Sequence, residues 1–77
     1  MKTLIVDDEE SFRFLISEHL RINGIHSQSV SSGEKSLKKL REESFDVIIM
    51  DISMPGGMNG IETTLEIKKQ GLQGEAI

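Results

Sequence analysis

The chain has no cysteine in its 77 residues. That excludes a disulfide framework and a thiolate metal site, and it agrees with a reducing compartment. Positive charge is also in deficit: nine Lys and Arg stand against thirteen Asp and Glu, a formal net charge of −4. Phosphate backbones are bound by positive fields, so direct nucleic-acid binding is not expected. No apolar run is long enough to span a bilayer. The N-terminal segment Met1-Lys2-Thr3-Leu4-Ile5-Val6 meets Asp7-Asp8 too soon to be a secretory signal. The reading is a cytoplasmic chain with no membrane partner. Internal repeats, low-complexity tracts and linkers are missing too, so the length allows one small domain at most. A domain this small buries only about 60% of its unfolded surface, and its stability is marginal unless something supplements the core.

What is present is an alternation of short apolar runs and helical segments. Leu4-Ile5-Val6 is a short strand. A helix is predicted over 10–22, because Phe12, Leu15, Ile16, His19 and Leu20 recur at helical spacing. Asn23-Gly24 supplies its left-handed stop. Residues 25–30 read as a strand, but His26, Ser27, Gln28 and Ser29 make it polar enough for a sheet edge. Ser31 and Glu34 offer a capping box for a second helix, running to about Glu43 and burying Leu37 and Leu40. Its Lys35, Lys38, Lys39 and Arg41 read as a solvated face.

Residues 45–50 form the strongest strand. Val47-Ile48-Ile49-Met50 shows no alternation, as expected when both faces of a parallel strand are covered. Pro55-Gly56-Gly57 makes 52–58 a loop. Asn59 and Glu62 cap a third helix from Gly60 to about Gln70, which Gly71 ends. Glu75-Ala76-Ile77 reads as the start of a fourth strand. The fold class is therefore α/β: a doubly wound parallel sheet of order βαβαβα plus a partial strand, with right-handed crossovers. Chemistry in such sheets sits at the carboxyl ends of the strands.

Asp7-Asp8 follows the first strand there and Asp51 follows the third. In a doubly wound sheet those strands are neighbours, so the carboxylates converge. An Asp at a strand end also serves as an ordinary cap or turn residue. Clustered carboxylates repel one another unless a cation is present. Mg²⁺ suits the place, because it takes a few carboxylates and keeps water positions for phosphate oxygens. One carboxylate could then attack phosphorus and form an acyl phosphate.

These segments carry a resemblance. Leu4-Ile5-Val6-Asp7-Asp8-Glu9 resembles the first strand and acidic pair of the bacterial response regulator receiver domain. Val47-Ile48-Ile49-Met50-Asp51-Ile52-Ser53-Met54-Pro55, running on to Met58-Asn59-Gly60, resembles that family's phosphorylation strand and loop. The resemblance implies a flavodoxin-like sheet with the strands in order 2-1-3. It implies that Asp51 accepts a phosphoryl group from a sensor histidine kinase or a phosphotransfer protein. Asp8 would ligate Mg²⁺ directly, Asp7 through water, and the Ser53 backbone carbonyl would complete the set. Glu9 would instead favour the start of the first helix by its charge.

Two departures from the pattern stand out. The loop over 54–60 is one residue longer than the common form, the extra residue being Gly56 or Gly57. The family fold has five β/α units, whereas 1–77 supplies an incomplete receiver domain of three. Most of the fourth strand and all of the fourth helix, fifth strand and fifth helix are missing. The Ser or Thr that ends the family's fourth strand and the Lys that ends its fifth have no counterpart. Lys68 and Lys69 fall on the third helix, the wrong element to stand in, and the absence of that hydroxyl and that Lys should weaken phosphotransfer. The expectation is either a fragment of a longer receiver or a chain that pairs with a second copy through an exposed strand edge or exchanged elements.

Three functions compete. The leading one is a phosphoacceptor receiver, a signalling switch more than an enzyme. The alternative is a truncated, non-phosphorylating receiver-like module acting through self-association. The third is a phosphohydrolase of the haloacid dehalogenase type, which would place an acid where Ser53 stands. His19 is expected at the boundary of the core, His26 on the surface, and Met50, Met54 and Met58 in packing roles rather than as soft-metal ligands.

Overall fold

The computed structural model describes residues 1–72 and the backbone of residues 75–76. The strands are β1 (Lys2–Val6), β2 (His26–Val30), β3 (Val47–Met50) and β4 (Glu75–Ala76), joined through helices α1 (Glu10–Ile22), α2 (Gly33–Glu42) and α3 (Gly60–Lys69). The sheet is parallel in the order β2-β1-β3-β4. The predicted 2-1-3 arrangement is present, and the start of a fourth strand lies beside β3. Ile77 lies outside the described residues. The polar strand β2 is an edge, as its composition demanded.

Register decides where the acids go. Val6 pairs with Met50, so Asp7 and Asp51 leave the sheet on adjacent strands at the same level. Alternate β1 residues serve opposite faces. Leu4 and Val6 join Ile48, Leu37, Leu40, Phe45, Met54 and Ile67 in one core between the sheet and helices α2 and α3. Ile5 is fully buried outside that cluster, on the face that α1 covers. Met50 and Met58 pack against the core and Met54 lies within it, the packing roles expected of them.

Helix α1 has the predicted bounds, and Gly24 stops it with φ 76°. Its burial differs from expectation. The stripe that periodicity assigns to a core is largely open, with Phe12 53% and Leu15 60% exposed, and no α1 residue is buried. Among the described residues the helix packs chiefly against β1 and β2 and leaves Ile49 of β3 only half-buried on that side. Leu15, Ile16, His19 and Leu20 therefore line an apolar groove of about 400 Å³ with Ile49 of β3 as the fifth wall residue. Amphipathicity reports that a face prefers burial, but not whether the described residues supply the cover.

The cap of α2 also corrects the sequence. The N-cap is Ser32, not Ser31, and the Ser32 hydroxyl accepts the Lys35 amide at 3.1 Å. Ser31 instead accepts the Lys35 ammonium at 2.9 Å. Ser32 starts no box because the residue three places on is Lys35, and this releases Glu34 for another partner. At α3 the expected box is present. Asn59 accepts the Glu62 amide at 2.8 Å, and Glu62 accepts the Asn59 amide at 3.0 Å.

Candidate metal centre

Three backbone features bring the acids together. The Asp51 amide donates to the Val6 carbonyl at 2.9 Å, which carries the β1–β3 ladder one residue past the strand. The Asp7 amide donates to the Val30 carbonyl at 3.2 Å and does the same for β1 and β2. Asp7 Oδ1 then accepts the Glu9 amide at 2.9 Å, a local turn that leads the chain into α1. Glu9 is the N-cap residue of α1, its side chain makes no cap, and its carbonyl accepts the Arg13 amide at 3.1 Å. Glu9 thus stays outside the acid cluster, as expected.

The result is a set of three carboxylates, Asp7, Asp8 and Asp51, each offering an oxygen within 4.8 Å of the others. Asp8 is exposed, and Asp7 and Asp51 are half-buried. An all-oxygen donor set of high negative charge is the chemistry that a hard divalent cation such as Mg²⁺ selects. The residues fit that ion. Ser53 lies two residues beyond Asp51 on the loop, and its amide donates to Asp51 Oδ1 at 3.2 Å.

Three further residues hold this site, and sequence reasoning had given none of them this role. Arg13, one turn into α1, donates from Nη1 to the Asp7 carbonyl at 2.7 Å. Its signal was a single cation three residues after the acids of residues 7–10. Gly60 opens α3, and its amide donates to the Ile52 carbonyl at 2.9 Å. A Cβ there would collide with the Asp51 carbonyl oxygen and lie 2.8 Å from Ile52 Cα. Glycine is therefore required where the helix meets the Asp51 backbone. A glycine at the first helical position, where good helix formers abound, was the available clue. Glu34, freed from its cap, accepts the Met58 amide at 3.0 Å, and this bond holds its carboxyl below the usual glutamate range.

Other expectations fall into place. His26 is exposed, as are Lys68 and Lys69 in the last turn of α3, whereas His19, expected at the boundary of the core, is exposed because the groove it lines is open. Lys38 and Arg41 lie on the solvated face of α2, with Arg41 donating to Gln70 at 3.1 Å.

The profile of the response regulator receiver domain matches residues 3–77. The chain belongs to the response regulator receiver family. This receiver is 38% identical over 71 residues to the alkaline phosphatase synthesis transcriptional regulatory protein PhoP of Bacillus subtilis, covering 92% of this chain and 29% of that one. Against the response regulator GacA of Pseudomonas syringae pv. syringae it is 44% identical over 66 residues, covering 83% and 30%. A CheY-like receiver from Methanospirillum hungatei superposes with TM-score 0.88 at 31% identity, covering 97% of this chain and 59% of that one. The response regulator TrrA of Thermotoga maritima, solved in complex with Mg²⁺ and BeF, gives 0.84 at 39% identity, covering 90% and 59%. The receiver thus spans less than a third of the two regulators and about three fifths of the two solved chains. Its fold is the flavodoxin-like receiver fold, and its family is that of two-component signalling.

Proposed function

We propose that Asp51 accepts a phosphoryl group from the phosphohistidine of a sensor histidine kinase or a phosphotransfer protein. Asp7, Asp8, Asp51 and the Ser53 backbone carbonyl would hold Mg²⁺, and the setting would be the cytoplasm. The observation that carries this reading is the convergence of the three carboxylates within 4.8 Å at the carboxyl ends of β1 and β3. Mg²⁺, when bound, supplies charge neutralisation to the phosphoryl oxygens.

The chain's own residues supply position. The Val6 carbonyl fixes the Asp51 backbone through its amide, and the Ser53 amide occupies Asp51 Oδ1. Oδ2 is then the oxygen left to attack. Transfer forms one O–P bond to Asp51 and breaks the N–P bond of the phosphohistidine, and the departing imidazole takes up a proton. The module is a switch rather than an enzyme. Its chemistry ends in modification of its own side chain.

The test is labelling by acetyl phosphate in the presence of Mg²⁺. The wild-type chain should acquire acid-labile phosphate, and Asp51→Asn should acquire none. Label that persists in Asp51→Asn sinks the assignment.

One observation favours a second reading, a non-phosphorylating module that works by self-association: the exposed Leu15 in the apolar groove over Ile49, with Phe12 exposed on the same helix. A folded monomer in sedimentation at micromolar concentration would count against it.

A further inference from the structure

The loop that leaves Asp51 has two anchors. One is Gly60 against Ile52, at the loop's far end. The other is Glu34, on a different element. Glu34 lies in the first turn of α2, and its Oε2 accepts the Met58 amide at 3.0 Å across 24 residues of sequence. Its carboxylate also lies against Gly57, where a Cβ would come within 2.9 Å of Oε2 and 3.2 Å of Oε1. The two loop glycines differ. Gly56 takes φ 89° and faces open space, whereas a Cβ on Gly57 would press on the Glu34 carboxylate and make that side chain shift. Between α2 and the loop lies a hollow of about 60 Å³, walled by Asp8, Ser32, Glu34, Met54, Gly57 and Met58 among others. One wall is therefore a carboxylate of the acid cluster and another is the Glu34 contact.

We propose that Glu34 is a positioning residue of the phosphoryl-accepting site, holding the β3–α3 loop against α2 so that Ser53 and Asp51 keep their places. The inference rests on the receiver reading above and goes beyond it, because it assigns a role to a residue outside the acid cluster. The extra loop residue gains a purpose in this account. The Gly56-Gly57 pair lets Met58 N–H reach a carboxylate on α2. Glu34 needs only an acceptor oxygen for this, so a glutamine can replace it.

The test uses NMR on the whole chain, with Glu34→Ala, Glu34→Gln, Gly57→Ala and the Glu34→Ala/Gly57→Ala double variant. Two quantities are read: hydrogen-exchange protection of the Met58 amide without metal, and Mg²⁺ affinity from a titration. Glu34→Ala should lose Met58 protection and weaken Mg²⁺ about three- to tenfold, the range for one lost hydrogen bond. Glu34→Gln should keep both within about twofold of wild type. Gly57→Ala, whose new methyl displaces the carboxylate, should resemble Glu34→Ala. The double variant should be no worse than either single one, because all three remove the same contact. Equal Mg²⁺ affinity in wild type and Glu34→Ala, with both folded, overturns the positioning role alone. So does a Glu34→Gln variant as weak as Glu34→Ala. A folded wild-type chain that binds no Mg²⁺ overturns the receiver reading, and the positioning role with it, even if Met58 is protected.

Discussion

Asp51→Asn should make the metal-free chain more stable, not less. The substitution is nearly isosteric, and the asparagine Oδ1 can still accept the Ser53 amide, a bond of 3.2 Å in the wild type. What disappears is one charge of three whose oxygens lie within 4.8 Å of each other. At that separation two unit charges in a water-like dielectric repel by about 1 kcal/mol. Asp51 takes part in two such pairs. At physiological salt the Debye length is about 8 Å, and screening roughly halves the total. About 1 kcal/mol remains, which for a domain of this size is a rise of about 4–8 °C in Tm.

The assay is a thermal melt followed by circular dichroism, in a chelator and then in millimolar Mg²⁺. In the chelator the variant should melt higher, and the difference should shrink in 1 M salt, where screening acts within about 3 Å. In Mg²⁺ the difference should narrow or reverse, because only the wild type retains the full ligand set and gains stability from binding. A variant that melts at or below wild type in the chelator, at every salt concentration, refutes the argument. The three carboxylates would then not be repelling one another, and the case for a cation between them would lose its physical basis.

Two further outcomes follow from the loop. Gly60→Ala drives a methyl into the Asp51 carbonyl and should cost about 1–3 kcal/mol in a urea melt, as overpacking does; labelling by acetyl phosphate should fall on the order of tenfold or more, since Asp51, the proposed acceptor, is displaced. Glu34 has its pKa lowered from the ordinary value of 4.5 by the Met58 amide, so its stabilising effect is full above that value and is lost as pH falls through the depressed folded value. Glu34→Gln should therefore lose less stability than wild type between pH 7 and about pH 3, and a steeper acid loss in the variant would contradict this.

The parts of the fold that could be read in the sequence were those set by local chemistry. Val47-Ile48-Ile49-Met50 forms the expected strand, although only its α2/α3 face is well covered and Ile49 lines the open groove, and Asp51 directly after it lies at the carboxyl edge. Helix α1 took its predicted bounds because Gly24 offered the positive φ that ends it. The misreadings came where one local signal had two satisfactory answers. Ser31 and Ser32 are both competent caps, and Glu34 three places after Ser31 made the wrong one attractive. The backbone chose Ser32, because Glu34 had a better use 24 residues away. No window of local sequence contains that contact.

The same division runs through the site itself. Asp7 and Asp51 are held by ladder bonds to the Val30 and Val6 carbonyls, Asp8 follows Asp7 directly, and strand order with register fixes the set. Ser53 is held otherwise. It hangs on a loop whose two ends are set by a missing Cβ at Gly60 and by the Glu34 carboxylate on α2. A strand-held carboxylate is as rigid as the sheet, whereas a loop-held backbone carbonyl is only as rigid as its weakest anchor. Glu34 is exposed and its bond is a single contact, whereas Gly60 is buried against backbone. Loop motion should thus begin at Met58, the end held by α2, and leave the Asp51 side fixed. Any movement of α2 would then reach Ser53 before it reached the acids. This makes Glu34 the point at which events on the α2 surface reach the Ser53 end of the site without disturbing the sheet that holds Asp7 and Asp51.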